Sequence, residues 1–486
     1  MTIKKLISGI KILKINVDIK KKVKGIVSDH RKGTKDRIFV AIKGGKRDGN
    51  NYIDLACACG AVAIVTEKKE SCIEGVPYIL VENVRAAIAV MWSNYYSNPA
   101  KGLKTVAITG TNGKTTSAYV LYSILKCAKI PCGLISTIEC LANDEKIALD
   151  NSTVTDVAAA MTTPDPEQLY RLYYIMKKKG VKVVVIEASS HALEQRRMEK
   201  IPVEIGAFTN LSCEHLDYHE NMEQYFLAKE LLMKKSKTCV VNADDSYGQR
   251  ILGKYKEKSI SFSSLCNSDY KAEKIVCSLD GCKYELVSKK EKFDIKTSLI
   301  GGFSVYNTAI AIACASVLKI KSEYIIKGVE EAKQIKGRLE KYKNTNIYID
   351  YAHTPRAIKS VIEVIKQTEP SKRVIALFGC GGDRDKSKRP EMGRICTELC
   401  DLTIITSDNS RSENPNEILA DIIKGIAKNK RFMVIPDRCE AIRYVAKGIG
   451  EQEILLLLGK GHEEYEITEK GKAYFSEKKI LEEVLG

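Results

Sequence analysis

The chain carries one short run in which glycine, lysine and threonine stand at the spacing of a phosphate-binding loop. Residues 109–116 read TGTNGKTT, between a β-branched stretch at Thr105–Thr109 and a predicted helix over about 114–128. Glycines let backbone N–H groups turn towards a phosphate, and a helix N-terminus adds positive potential there. Lys114 would reach the outer phosphates, and the Thr115 hydroxyl would ligate Mg²⁺. The nucleotide-binding residues predicted from this run are Gly110, Thr111, Asn112, Gly113, Lys114, Thr115 and Thr116.

This loop has the shorter GxxGKT form. The longer GxxxxGK[ST] pattern would need glycine at position 108, where the chain has Ile108. A glycine-rich turn with a chance lysine is the alternative interpretation. The strand before the loop and the helix after it favour the nucleotide site.

Two further polar side chains follow predicted buried strands. Glu187 comes directly after Val183–Ile186, and His215 lies shortly after Ile205–Thr209. Ligands of parallel sheets bind at the carboxyl ends of the strands, so both side chains are expected beside the phosphate loop. A lone histidine is more often structural, but a hydroxyl at Thr115 together with a carboxylate and an imidazole suits Mg²⁺.

The last third of the chain repeats this arrangement four times. Polar clusters end four predicted strands, at residues 350–355, 378–385, 407–411 and 459–463. One such cluster is weak evidence, whereas four on the same edge of a parallel sheet predict a binding face. Arg389 and Arg411 are suited to bidentate recognition of a carboxylate, although either alone would more often be a solvated surface charge.

The elements that position these residues are strands alternating with helices, which predicts an α/β protein with mostly parallel sheets. We expect three domains: a small α/β domain over 1–100, a central P-loop domain over 101–335, and a Rossmann-like domain over 336–486. Residues 258–300 are short, Lys-rich and alternating, which indicates an antiparallel hairpin extension inside the central domain.

Composition excludes several classes of protein. The 486 residues contain 16 cysteines without a CxxC pair, so we expect free thiols in a reducing cytosol rather than a disulfide scaffold or zinc site. No apolar run is long enough for a membrane span, and the N-terminus lacks the apolar stretch of a signal peptide.

The net charge of +17 is the unusual feature, and residues 1–50 hold 15 Lys or Arg against four Asp or Glu. Such a charge motivates a second hypothesis, a basic P-loop NTPase acting on nucleic acid. Few aromatic residues accompany these cations, so support for base stacking is thin. A third hypothesis is a nucleotide-binding scaffold without catalysis.

Taken together, the motifs resemble the Mur ligase family of peptidoglycan synthesis over essentially the whole chain. They are TGTNGKTT, EASSHAL, NLSCEHLDYH, GRLE at 337–340, DYAHTP and GKGHE. The resemblance implies a cytoplasmic, monomeric, ATP- and Mg²⁺-dependent ligase, with no nucleic-acid partner and no membrane insertion. It would join meso-diaminopimelate to UDP-N-acetylmuramoyl-L-alanyl-D-glutamate through an acyl phosphate.

The resemblance also implies roles for individual residues. The catalytic set would be Lys114, Glu187, His215, Lys229 and His353. The metal ligands would be Thr115, Glu187, His215 and Lys229, the last after carbamylation; without the resemblance Lys229 is typical of a surface lysine. Asn307, Arg338 and Asp350 would complete the ATP site. The UDP-muramoyl dipeptide would contact His30, Thr162, Thr163, Ser189, Gln195 and Arg197. The added amino acid would contact Arg389, Asp408, Asn409, Ser410, Arg411, Gly459 and Glu463.

Four positions depart from the family pattern. Ser410 stands where the diaminopimelate members have proline, while His30 replaces a serine, Glu214 an aspartate and Ser304 an asparagine. Arg411 is kept and would clamp the distal carboxylate of diaminopimelate, which lysine lacks. Ligation of L-lysine or another amino acid by a divergent paralogue stays the alternative.

Overall fold

A computed structural model describes residues 1–45, 47–71, 75–148 and 161–486. The chain forms two compact units, each built from separated segments. Unit 1 comprises Met1–Thr109, Ile130–Gly206 and Ala228–Lys237, and unit 2 comprises Gly110–Lys129, Ala207–Leu227 and Thr238–Gly486. The three domain boundaries expected from the sequence are a different division of the chain and stay a prediction.

Unit 1 begins with a five-stranded sheet of order β1-β5-β4-β3-β2, in which β2 to β5 are parallel and β1 runs antiparallel to β5. Its elements are α1 (Ile3–Leu6), β1 (Ile12–Asn16), β2 (Gly25–Val27), β3 (Arg37–Val40), α2 (Ile53–Ala58), β4 (Ala63–Thr66), β5 (Tyr78–Val81) and α3 (Val84–Tyr95). Both β4 and β5 are buried at every position, as expected for continuous apolar runs inside a sheet that is covered on both faces.

The second part of unit 1 has the strand order β6-β10-β7-β8-β9. Its elements are β6 (Lys104–Thr109), β7 (Cys132–Ile135), β8 (Cys140–Ala142), β9 (Glu145–Lys146), α5 (Pro166–Lys178), β10 (Val183–Glu187) and α6 (Ser190–Glu194). Strand β10 lies parallel to both β6 and β7 and is buried at all five positions. It therefore ends by placing the Glu187 carboxylate at the carboxyl edge of this sheet.

Unit 2 starts with the helix that follows the phosphate loop, α4 (Lys114–Cys127). The chain passes between the units along β11 (Ile205–Phe208) and α8 (Met222–Lys235), with α7 (Leu216–His219) between them. Further elements are β12 (Thr238–Asn242), α9 (Ser246–Lys254), β13 (Ser259–Ser263), β14 (Tyr270–Ser278), β15 (Gly281–Ser288), β16 (Lys292–Thr297), α10 (Gly302–Val317) and α11 (Ser322–Glu330).

The hairpin extension predicted over 258–300 is confirmed for β14, β15 and β16, which pair antiparallel in sequence order. The first strand of that range, β13, instead pairs parallel with β12 and β14. One expectation about this region is wrong. Cys277 and Cys282 face each other across β14 and β15 and form a disulfide, so they are not free thiols. The other cysteines in the described segments, such as Cys396 and Cys400, form no disulfide, which agrees with the prediction of free thiols.

The rest of unit 2 is built on a six-stranded sheet of order β17-β18-β22-β19-β20-β21, parallel except for β17. Its elements are β17 (Glu340–Lys341), β18 (Ile347–Asp350), α12 (Pro355–Thr368), β19 (Arg373–Phe378), α13 (Lys388–Leu399), β20 (Leu402–Ile405), α14 (Pro415–Ile423), β21 (Phe432–Val434), α15 (Arg438–Ala446), β22 (Glu453–Leu458), the hairpin β23 (Tyr465–Thr468) and β24 (Gly471–Tyr474), and α16 (Glu477–Leu485).

Apolar cores cover both faces of this sheet, which explains its uninterrupted apolar strands. The register sets the strand ends level, since Leu458 of β22 pairs with Asp350 of β18 on one side and Phe378 of β19 on the other. The loops that follow these strands therefore begin side by side. Within the described segments, no helix is long and apolar enough to cross a membrane.

Candidate active site

The phosphate loop of unit 2 has a backbone that only glycine allows at two positions. Gly110 and Gly113 have φ values of +146° and +85°. A Cβ at Gly110 would lie 1.8 Å from Thr209 Oγ1, and one at Gly113 would lie 2.2 Å from Asn307 Oδ1. Lys114 Nζ lies over the loop and donates to the carbonyls of Gly110 and Thr111 at 2.9 and 2.8 Å. The loop therefore has the shape and the cation of a phosphate cradle.

A second cation lies against the start of α4. Arg338 Nη2 donates to Thr115 Oγ1 at 3.2 Å, and its guanidinium lies 4.9 Å from the centre of the Tyr351 ring. Arg338 Nε is buried and has no hydrogen-bond partner among the described residues, so it keeps one donor for a ligand. Asp350 is buried close by and accepts from the backbone N–H groups of Leu339 and Ala352. Burial raises the pKa of Asp350, which Arg338 and these hydrogen bonds partly oppose.

Two predicted catalytic histidines of unit 2 share one carboxylate. Glu214 Oε1 lies 3.4 Å from His353 Nε2 and 3.9 Å from His215 Nε2, and its side chain is 13% exposed. Burial would raise the pKa of Glu214, but the hydrogen bond from His353 and the charges of His215, His353 and Lys114 lower it overall. His353 Nδ1 lies 2.8 Å from the carbonyl of Tyr351, so its ring is fixed at both nitrogens. Glu214 thus places a carboxylate between the two histidines.

The other two predicted catalytic residues belong to unit 1. The Glu187 carboxylate is buried and accepts from the N–H and the hydroxyl of Thr137, at 2.9 and 3.2 Å. Lys229 is only 1% exposed, which contradicts the surface position that its sequence context suggests. The described residues contain no ready-made group of three or more His, Cys, Asp or Glu side chains for a metal. The predicted metal set of Thr115, Glu187, His215 and Lys229 stays a prediction.

Unit 1 also contains a cavity of about 180 Å³ with charged walls. Its lining includes three cations, Lys32, Arg85 and Arg197, and two carboxylates, Asp165 and Glu167. Burial raises the pKa of Glu167, with a further contribution from the Asp165 charge. The apolar part of the wall comes from side chains of β2 and α3 together with Ile42 and Pro166. A mixed wall in which cations outnumber carboxylates suits the anionic part of a polar ligand.

Four of the residues predicted to contact the UDP-muramoyl dipeptide form one hydrogen-bonded network beside this cavity. Thr163 Oγ1 donates to the Glu187 carbonyl at 2.8 Å and accepts from the Ser189 N–H at 2.9 Å. Arg197 Nη1 donates to the Thr163 carbonyl at 2.7 Å, and Arg197 Nη2 to Gln195 Oε1 at 2.8 Å. Gln195 and Arg197 line the cavity. Thr163 does not line it but holds the Arg197 guanidinium through its carbonyl, and Ser189 in turn bonds Thr163.

Two predicted substrate residues are not part of this network. His30 stacks on the Tyr52 ring at 4.5 Å and is absent from the cavity wall, where its neighbours Ser28 and Lys32 lie. Thr162 is half-buried beside Thr163 and does not line the cavity either. The cavity residues Lys32, Arg85, Asp165 and Glu167 were not predicted. The local signal for three of them was a charge at the start of a helix, since Arg85 lies at the start of α3 and Asp165 and Glu167 lie at the start of α5.

The residues predicted for the added amino acid cluster on the loops of the six-stranded sheet. Asp408, Asn409 and Ser410 are buried after β20, and Asn409 Nδ2 donates to Glu463 Oε2 at 2.8 Å. Gly459 has a φ of +109°, and a Cβ there would lie 2.9 Å from Asp408 Oδ2. Burial and the Asp408 charge raise the pKa of Glu463.

The two predicted arginines differ in their surroundings. Arg411 has a left-handed φ of +52° and donates to the carbonyls of Gly382 and Asn409 at 2.7 and 3.2 Å. Arg389 is 0% exposed, and its guanidinium already bonds Glu413 and Asp421 at 3.0 Å. Of the three Arg389 guanidinium nitrogens, Nε alone has no hydrogen-bond partner among the described residues. Arg389 can therefore offer a ligand a single donor, not the bidentate grip expected from the sequence.

Comparison with known proteins gives two matching family models. The model described as Mur ligase middle domain matches residues 108–315, and the model described as Mur ligase, glutamate ligase domain matches residues 337–461. A UDP-N-acetylmuramoyl-L-alanyl-D-glutamate--2,6-diaminopimelate ligase from Caldanaerobacter subterraneus is 40% identical over 478 residues, covering 97% of this chain and 95% of that protein. The ligase of the same name from Clostridium perfringens is 38% identical over 496 residues, covering 100% and 99%.

Solved structures give the same fold. A UDP-N-acetylmuramoyl-L-alanyl-D-glutamate--2,6-diaminopimelate ligase has a TM-score of 0.68 at 28% identity, covering 100% of this chain and 98% of that chain. The MurF ligase from Thermotoga maritima in complex with ADP has a TM-score of 0.60 at 18% identity, covering 89% and 93%. These similarities confirm the predicted α/β fold.

Proposed function

The chain belongs to the Mur ligase family, and from this premise we propose the reaction that its sites perform. It is an ATP-dependent ligase of peptidoglycan synthesis that joins meso-diaminopimelate to UDP-N-acetylmuramoyl-L-alanyl-D-glutamate. The observation that carries the proposal is in unit 2. There, one compact body holds the phosphate loop with Lys114 and Arg338 and also the amino-acid cluster around Asn409 and Glu463.

The reaction has two chemical steps. The side-chain carboxylate of D-Glu attacks the γ-phosphorus of ATP, ADP leaves, and an acyl phosphate forms. An amine of diaminopimelate then attacks the acyl carbon, the bond to the phosphate oxygen breaks, and loss of a proton leaves an amide and inorganic phosphate. Both steps bring anions together, so fixed cations lower the barrier. Lys114 on the β- and γ-phosphates and Arg338 beside Thr115 would supply that charge.

Binding of Mg²⁺ is a further part of the proposal. The Thr115 hydroxyl follows the phosphate-binding lysine, and Glu187 offers a buried carboxylate, which are oxygen ligands of the kind that Mg²⁺ prefers. When bound, the ion would neutralise charge on the transferred phosphoryl group. His215 and a carbamylated Lys229 would complete the ligand set. The burial of Lys229 is consistent with a role inside the protein rather than on its surface.

The two organic substrates would occupy different units. The cavity of unit 1 would hold part of the UDP-muramoyl dipeptide, where Lys32, Arg85 and Arg197 would meet its anionic groups. The loops after β20 and β22 suit the added amino acid, whose ammonium groups match Asp408 and Glu463 and whose distal carboxylate matches Arg411. A monomeric, cytoplasmic enzyme stays a prediction, as does the alternative that L-lysine is the added amino acid.

A phosphate-release assay tests this proposal against a nucleic-acid-dependent NTPase. We expect release only when ATP, Mg²⁺, UDP-N-acetylmuramoyl-L-alanyl-D-glutamate and diaminopimelate are all present. Leaving out either organic substrate should reduce the rate to background. Phosphate release that rises with DNA or RNA and ignores the muramoyl dipeptide would contradict the ligase.

A further inference from the structure

The amino-acid cluster of unit 2 contains a lysine to which neither the sequence motifs nor the reaction assigns a role. Lys460 follows β22 between Gly459 and Gly461, and its side chain is 0% exposed. Both glycines have positive φ, and neighbouring atoms leave no room for a Cβ on either. The backbone at this position is therefore fixed. A buried ammonium is costly unless hydrogen bonds and charge compensate it, so its surroundings indicate what it does.

The ammonium of Lys460 is held from three directions. Lys460 Nζ donates to Asn409 Oδ1 at 3.0 Å and to the Tyr465 carbonyl at 2.9 Å. It also lies 3.6 Å from Asp408 Oδ1, which supplies the opposite charge. The ring of Phe475 covers it at 5.1 Å from the ring centre. The ammonium is therefore shielded from solvent, and its charge interacts with Asp408 and Asn409 in the loop after β20.

This contact decides which way the Asn409 amide points. Asn409 Oδ1 accepts from Lys460 Nζ and from the Ile467 N–H at 2.9 Å. Both partners are donors only, so the oxygen of the amide must face them and the nitrogen must face the other way. Asn409 Nδ2 accordingly donates to Glu463 Oε2. The orientation of the Glu463 carboxylate thus depends on a lysine three residues before it in the chain.

We propose that Lys460 is the positioning residue of the amino-acid site, which fixes Asn409 and Glu463 for binding of the added amino acid without contacting that substrate itself. The inference rests on the proposed function, since it assumes that the added amino acid binds at Asp408, Asn409 and Glu463. With Lys460 in place, the Glu463 carboxylate meets an incoming ammonium group in one orientation. Without it, Asn409 Oδ1 keeps only the Ile467 N–H as its partner, so the amide is held less firmly in this orientation.

The test compares Lys460→Met with Lys470→Met, an exposed lysine in the turn between β23 and β24, as the matched control. We expect Lys460→Met to raise the KM for diaminopimelate about 10- to 100-fold, while the KM for ATP changes less than about twofold. Lys470→Met should leave both values unchanged. If Lys460→Met raised the KM values for diaminopimelate and ATP equally, or raised neither, the proposal would be overturned.

A double-mutant cycle separates positioning from general stability. If Lys460 acts through Asn409, Lys460→Met combined with Asn409→Ala should have the same KM for diaminopimelate as Asn409→Ala alone. Additive losses would contradict the inference. Should Lys460→Met not fold, Lys460→Gln keeps a donor for Asn409 Oδ1, and it should lose less affinity than Asn409→Ala. Wild-type protein that fails to consume diaminopimelate would instead contradict the proposed function itself.

Discussion

Replacing Lys114 with methionine should lower kcat by about 100- to 1,000-fold, because one fixed positive charge is removed from the transferred phosphoryl group. The side chain lies over Gly110 and Thr111, where a phosphate would replace those two carbonyls as its partner. Methionine keeps most of the length and apolar volume of lysine, so the helix that begins at this residue should be preserved. The change is measured by steady-state phosphate release with all substrates saturating.

The matched control is Lys126→Met in the last turn of the same helix, where the lysine is exposed. It should retain full activity, because its charge acts on neither substrate. A Lys114→Met enzyme that keeps more than about a tenth of the wild-type kcat would contradict the role of this loop, since a true phosphate-binding lysine is not dispensable to that extent.

Replacing Arg411 with alanine should raise the KM for diaminopimelate about 100-fold and change the KM for ATP less than about twofold. The left-handed backbone of Arg411 is an unfavourable local conformation for an arginine, and such conformations cluster at functional sites. Its two carbonyl contacts orient it, and a carboxylate of the substrate would form an ion pair with it. Separate titrations of the two substrates in the phosphate-release assay give both constants.

Arg431→Ala, at an exposed position before β21, is the matched control and should change neither constant. Comparable losses for both substrates in Arg411→Ala would indicate misfolding of the loop rather than loss of a carboxylate contact. Unchanged use of diaminopimelate would show that another group recognises the distal carboxylate, and it would reopen L-lysine as the natural substrate.

Several elements were predictable because their signals are local. The phosphate loop, the helix after it and the strand ending at Glu187 follow from glycine spacing and from runs of β-branched residues, and the structure has all of them. The polar clusters after β18, β19, β20 and β22 were predicted to lie side by side. The register confirms this, because parallel strands of similar length end at one edge.

Other features depend on contacts between distant segments, for which the sequence contains no local signal. Lysine is a residue type usually found on the surface, yet Lys229 and Lys460 are both buried by segments distant in the sequence. Arg389 was expected to bind a carboxylate of the substrate, but Glu413 and Asp421 of neighbouring segments supply carboxylates from within the fold. The Cys277–Cys282 disulfide needs the exact strand register that puts the two residues opposite each other. Long-range packing decides each of these cases, and a single sequence does not report it.

The most direct test of the account is a competition between the two amino acids. Wild-type protein is incubated with ATP, Mg²⁺, UDP-N-acetylmuramoyl-L-alanyl-D-glutamate and equal concentrations of meso-diaminopimelate and L-lysine, and the product is identified by mass spectrometry. The account predicts a UDP-muramoyl tripeptide that carries diaminopimelate, with the lysine product in small minority. A product that carries mainly lysine, or no ligated product while ATP is consumed, would contradict it.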